Sequence, residues 1–175
     1  MGAATTIALC FGYPNDERLD ELRTAVSALP DGKAQSHLDR FVAAIAPLSL
    51  GEWEELHTRT LDLSPFFVPY VGHVVWGESY KRGAFMAELN REMASLGVDL
   101  DGELPDHLAP ILRYLEATDS PHEELVDVLP KAVAAMTKEL KKSDADNPYR
   151  HPLAAARAQV AIEARVEIGS SHASR

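Results

Sequence analysis

A single cysteine, Cys10, stands in the 175 residues, so an intrachain disulfide framework is excluded and no CxxC pair is present to hold zinc. Cations are scarce: 17 Lys and Arg face 27 Asp and Glu, a formal net charge of −10. That balance repels phosphate backbones and excludes nucleic acid as the expected partner, whereas a basic peptide would be attracted. Long apolar runs are missing as well; Pro or Gly breaks each one short of the ~18 residues that a membrane span needs. The opening MGAATTIALCFGYP has no basic n-region and so does not read as a secretory signal, and Gly2 has no basic stretch beside it to support a lipid anchor. Strand patterning is weak, because apolar–polar alternation never lasts beyond a few residues. The expectation is a soluble, cytoplasmic domain. At this length roughly 70% of the unfolded surface can be buried in one core.

What the sequence does contain is helical periodicity. A first short helix is expected over about Thr5 to Gly12, stopped by Tyr13-Pro14, with Asp16 as cap of the next, which carries Leu19, Leu22, Val26 and Leu29. A third spans about Ser36 to Ala46, with Leu38, Phe41, Val42 and Ile45 on one face. Ser49-Leu50-Gly51-Glu52 matches a capping box that opens a helix to about Leu61. Ser64-Pro65 reads as a further start, with a buried and kinked helix running from Pro65 to Trp76. An amphipathic helix follows Gly77-Glu78-Ser79 and ends near Leu96-Gly97. After the acidic connection 98–106, Asp106 is the expected cap of a helix whose core face is Leu108, Ile111, Leu112 and Leu115. Ser120-Pro121-His122-Glu123 reads as a second capping box, Pro130 to Lys142 as another helix, and an alanine-rich helix runs to about Ile168. The fold class expected is all-α: one domain, residues 1–168, of about eight to ten helices, with a flexible tail at 169–175.

Chemistry-bearing patterns are sparse. A di-iron bundle needs Glu-x-x-His on two helices, and only Glu54-Glu55-Leu56-His57 fits, half a site at best. Cys10 lies in an apolar run, where a thiol is most often an inert core group. Ser64 and Ser120 are accounted for as caps, and neither a glycine-rich phosphate loop nor GxSxG occurs. The residues alone leave three readings: a helical protein with a peptide-binding groove, a metal protein or enzyme on a bundle, and a generic helical interaction module.

Two stretches go further. His73-x-x-x-Gly77-Glu78-Ser79-x-x-Arg82-Gly83 is followed, after the 19 residues 84–102, by Glu103-Leu104-Pro105-Asp106-His107-Leu108. With Leu9-x-x-x-Tyr13-Pro14, Leu61-Asp62-Leu63-Ser64-Pro65, Leu112-x-x-Leu115 and Asn147-Pro148-Tyr149, this pattern resembles the NarJ family of nitrate reductase delta-subunit-type assembly chaperones, within the wider TorD-like group. The resemblance covers roughly residues 5–160. It implies a TorD-like helical bundle that is not an enzyme and carries no cofactor or metal of its own. Such a protein binds the N-terminal peptide of the apo catalytic subunit of a molybdenum enzyme and assists molybdenum-cofactor insertion. Molybdenum-cofactor biosynthesis proteins are further partners, and a monomer or weak homodimer is expected. Candidate client contacts are Phe66, Tyr70, His73, Glu78, Tyr80, Arg82, Glu103, Asp106, His107 and Tyr114. If the helix extended back to Pro105, Leu104 and Leu108 would share the core stripe of Ile111 and Leu115, leaving Asp106 and His107 pointing outward to a client.

Overall fold

A computed structural model describes residues 1–63 and 65–172, with side chains to residue 161. Among these residues the chain is all-helical: α1 (Ala3–Leu9), α2 (Arg18–Ser27), α3 (Lys33–Ile45), α4 (Leu50–Leu61), α5 (Val71–Trp76), α6 (Tyr80–Ser95), α7 (Leu108–Ala117), α8 (Glu123–Ser143) and α9 (Arg150–His172). They form one bundle, as the periodicity predicts. No helix among the described residues is long and apolar enough to cross a membrane.

Short α1 lies at the centre, packed on α7 and α9 and touching α2 and α3; α9 lies against α3 and α8, and α5 bridges α6 and α8. The predicted stripes point inward, with Leu22, Leu38, Phe41, Ile45, Leu108, Ile111, Leu112, Val133, Met136 and Leu140 all buried. Ala155 and Ala156 give α9 a smooth buried face, on which a neighbouring helix can approach closely. Tyr149 closes the middle of the core. Its ring meets Phe41 at 5.2 Å and Phe11 at 6.5 Å between centroids. Its hydroxyl lies 2.9 Å from His57 Nδ1 on α4. One turn earlier, Asn147 Nδ2 donates to Thr60 Oγ1 at 3.0 Å, so the loop before α9 is stitched to α4 by buried polar bonds.

Helix ends follow local chemistry. Ser49 and Glu52 form the capping box. Ser79 caps α6 by accepting from the Arg82 amide. Gly97, at φ 67°, ends α6: the Val98 amide donates to the Met93 carbonyl at 2.9 Å, closing the turn that a left-handed residue permits. Glu123 and Glu124 open α8 and Lys141 and Lys142 close it, each charge matched to its end of the helix dipole.

Several expectations are corrected. The helix over Pro65–Trp76 exists only from Val71; residues 65–69 are not helical, and Tyr70, with an extended backbone, forms an isolated antiparallel bridge with His107. Pro69 biases Val68 away from helical angles, and its carbonyl accepts from the Leu108 amide at 2.9 Å instead. The cap expected at Ser64 lies outside the described residues. The two helices expected around Pro130 are one, α8, with Pro130 inside it. Pro130 is exposed, so the bond its ring cannot donate is lost on the side where water can replace it. Ser120 does not cap α8, whose N-cap is His122 without a side-chain bond. Asp16 does not cap α2; Asn15 Oδ1 accepts from the Glu17 and Arg18 amides at 3.1 and 2.9 Å. The tail expected from Gly169 falls on residues whose side chains, and from 173 whose backbone, lie outside the described residues.

The two serines give a direct test. Ser49→Ala is expected to cost about 1 kcal/mol in urea unfolding, the usual worth of a cap, and Ser120→Ala to leave the midpoint unchanged.

Candidate functional site

The two motif stretches meet. Helix α5 ends at Gly77, at φ 61°, a backbone that L side chains rarely adopt, and this turn delivers Glu78 and Ser79 to the start of α6. One turn into α6, Arg82 reaches across to the loop before α7. Its Nε donates to Asp106 Oδ2 at 2.8 Å and its Nη2 to Asp106 Oδ1 at 3.3 Å. Its Nη1 donates to Glu78 Oε1 at 2.7 Å, an oxygen that also lies 2.9 Å from His73 Nδ1. The guanidinium stands 5.7 Å from the Tyr70 ring centroid. Tyr70 in turn donates its hydroxyl to Glu103 Oε2 at 2.9 Å and meets His107 edge-on at 5.1 Å.

The main chain holds the same junction. The Val71 amide donates to the Asp106 carbonyl at 2.8 Å, and the Pro69–Leu108 bond flanks it. Gly72 faces this contact: a Cβ there would lie 2.8 Å from Asp106 Oδ2 and 3.1 Å from Arg82 Cγ. Glycine is therefore required by close approach, because any larger residue would push the carboxylate off the guanidinium.

The outward orientation expected for Asp106 and His107 is reversed. Asp106 is 0% exposed and His107 3%, while Leu104 is 47% exposed. The reason is local geometry: α7 begins only at Leu108, so helical angles do not apply to residues 104–107. His107, not Asp106, is the cap of α7, its Nδ1 accepting from the Ala109 amide at 3.2 Å. Asp106 is instead committed to Arg82. Tyr114 is buried too. Its hydroxyl donates to Glu92 and accepts from the His122 amide, so it ties the 118–122 connection to α6 and presents nothing to a client. Of the other candidates, Phe66, Tyr70, His73 and Glu103 are half-buried, Arg82 is buried, Glu78 is exposed, and Tyr80 is 95% exposed.

The sequence reading took His57 as half a metal motif and Tyr13 and Asp62 as parts of the resemblance pattern, and counted none of the three among the client contacts. His57 lies inside, 7% exposed, with the Tyr13 ring 5.3 Å away. Burial pushes its pKa down to about 4, against the pull of Asp62 and Glu103, with His107 adding to the fall. His107 also falls to about 4, chiefly by burial and then by the charge of Arg113. Tyr70 rises to about 12, first by burial and then by its bond to Glu103. A signal for these residues was present, since Tyr13-Pro14 and Leu61-Asp62 both belong to the pattern of the resemblance. Among the described residues no three His, Cys, Asp or Glu side chains come together as a metal-ligand set. No protein-family model matches the chain, and no curated protein matches it.

The Arg82–Asp106 pair sets a clear expectation. Asp106→Ala strands a desolvated guanidinium and is expected to cost ~3–5 kcal/mol. The double change Arg82→Met, Asp106→Leu, which removes both charges, is expected to cost less than the single one in the same urea titration. Acid is the second lever. Neutral His57 and His107 are favoured in the fold, so their contribution is complete above an unfolded pKa near 6.5. It is lost as pH falls from there to about 4, at most about 3 kcal/mol per histidine. Unfolding free energies measured across that window should fall steeply, and His107→Asn, which can still cap α7, should flatten the slope.

Proposed function

We propose that this protein is a chaperone of the NarJ type, acting by binding and not by catalysis. It holds the N-terminal peptide of the apo catalytic subunit of a molybdenum enzyme in the cytoplasm while the molybdenum cofactor is inserted. The observation that carries the reading is the convergence of the two motif stretches, 73–83 and 103–108, into one bonded corner centred on Arg82 and Asp106. A bundle needs no such corner for stability alone, because replacing a buried ion pair by apolar side chains is often neutral or stabilising.

The surface around the corner supports peptide binding. Tyr80, Leu104, Val75, Leu63 and Tyr13 are large, apolar and exposed, and Tyr80 and Leu104 stand two residues from Arg82 and Asp106 in the chain. Such side chains are anchors for an amphipathic segment. The net charge of −10 favours a basic one and speeds its arrival. The buried members, Arg82, Asp106, His107 and Tyr114, then shape the surface, and the contacts fall to Phe66, Tyr70, His73, Glu78, Tyr80 and Glu103.

The test is genetic and biochemical together. Deleting the gene is expected to leave one molybdenum enzyme without its cofactor and inactive, with the catalytic subunit still synthesised. The tagged chain should capture that apo subunit, and not a form lacking its first ~15–30 residues. Wild-type activity of every molybdenum enzyme in the deletion strain would falsify the reading.

A further inference from the structure

Where α3 packs along α9, the two helices leave an open trough of ≈ 750 Å³ that shares no residue with the Arg82–Asp106 corner. Its floor is apolar and shallow: Ala34 from α3, Ala154, Ala158 and Ala161 from α9, Ala3 from α1, and Leu29 just beyond α2. The three α9 alanines stand at i, i+4 and i+7, so the face that this helix turns to the trough is smooth. Two helices lying side by side accept a third along the valley between them, and small side chains let its backbone come close.

The edges are cationic, in a chain whose net charge is −10. On α3, Lys33, His37 and Arg40 follow one another at i, i+4 and i+7 and so form a row on one face. Lys33 and His37 line the trough from that helix and Arg157 from α9, and the His37 and His151 rings meet across the two helices at 6.2 Å between centroids. Lys33, Arg40 and Arg157 are exposed, and none of their side chains has an ion pair or hydrogen bond among the described residues. Arg150, by contrast, is held by Asp146 at 3.0 Å. Two carboxylates stand nearby, Asp31 in the lining and Asp39 on α3, which accepts from Gln35 Nε2 at 2.6 Å; neither pairs with a cation among the described residues. His37 and His151 are both pushed below the ordinary histidine range, chiefly by burial, then by Arg40 and Lys33 for the first and Arg150 for the second. The cations therefore act on one another's surroundings and have no counter-charge in contact.

Charge and shape together select the occupant. The rim calls for carboxylates and the floor for aliphatic side chains. A small molecule would keep one side in water, because Lys33, Arg157 and Ala161 are all exposed, whereas small-ligand sites bury most of what they hold. A helix with one leucine stripe flanked by glutamates meets both demands. It also sets a carboxylate every three or four residues, the spacing of the cationic row on α3.

We infer that the trough between α3 and α9 is a docking site for an acidic amphipathic helix of a partner protein, with its apolar stripe on the alanines and its carboxylates on Lys33, Arg40 and Arg157. The inference goes beyond the chaperone reading and does not rest on it. The molecule then carries a surface for a partner opposite in sign to the basic segment proposed for the corner.

The test uses the full chain, labelled with nitrogen-15, and a synthetic helix blocked at both ends, with leucines on one stripe, glutamates beside it and alanines elsewhere. The same helix with every glutamate replaced by glutamine serves as the uncharged control. The His37 and His151 ring signals and the Ala158 amide are followed, with His37→Gln and His151→Gln assigning the rings. The acidic helix is expected to shift all three saturably and to bind about tenfold more tightly than its control at low salt, the scale of a few exposed charge contacts. Lys33→Gln, Arg40→Gln and Arg157→Gln together should abolish that preference, and as exposed positions they should leave the fold intact. Equal binding of the two helices, no saturable shift with either, or an undiminished preference in the triple variant would each overturn the inference. So would N-acetyl-L-glutamate amide binding as tightly as the acidic helix, which would make the trough a site for a small anion. Sedimentation covers the remaining occupant: a dimer of the unaltered chain that the triple variant does not form would assign the trough to a second copy and overturn the inference as well.

Discussion

Asp106 is a carboxylate with no exposure to water, and it is tolerable only because a guanidinium meets both of its oxygens. Much of this side of the molecule is arranged to keep that meeting in place. Gly72 is small so that the two can approach, Gly77 takes a left-handed backbone so that α6 starts where Arg82 can reach, and Pro69 and Val71 bond the loop before α7 on both sides of the pair. Charge burial thus acts as a geometric specification. An apolar substitute would fill the space but would not fix the angle between α5, α6 and the loop, because dispersion is not directional whereas a bidentate contact is.

The neighbouring histidines show the opposite electrostatic solution. Among the described residues His57 and His107 have no counter-charge in contact, and they remain neutral, their pKa values depressed by lost hydration. A charged pair and a neutral pair therefore share one corner. Each oxygen of Asp106 is taken, while the outer imidazole nitrogens have no partner among the described residues. That division separates the part of the corner that builds the fold from the part that still has bonds to offer.

How far this was readable in the sequence differs from residue to residue. The stripes through Leu38, Phe41 and Ile45, or Val133, Met136 and Leu140, were legible because each repeats over several turns and burial follows periodicity. The Ser49–Glu52 cap was legible because its chemistry is local. Ser120-Pro121-His122-Glu123 has the same letters and makes no such cap, since the position of α8 is set by tertiary packing that the four residues do not encode. In the site, the pattern located the participants Arg82, Glu103, Asp106 and His107 but inverted their exposure. The wheel that turned Asp106 and His107 outward presumed helical angles where Pro69 and Leu108 impose an extended bridge. Contacts between segments far apart in sequence, such as Tyr13 with His57, leave no periodic trace.

Tyr149 has a bearing on how the molecule comes into being. It is the plug between Phe11, Phe41 and His57, and α1 and α3 both find partners in α9. During synthesis the first three helices emerge from the ribosome more than a hundred residues before α9 does, at roughly 5–20 residues per second. The nascent chain therefore spends seconds with Phe41 and Ile45 unburied, and contacts of such long sequence separation form late and slowly. Closure of the core waits on translation reaching the final helix, which makes the birth of this protein its own most aggregation-prone moment.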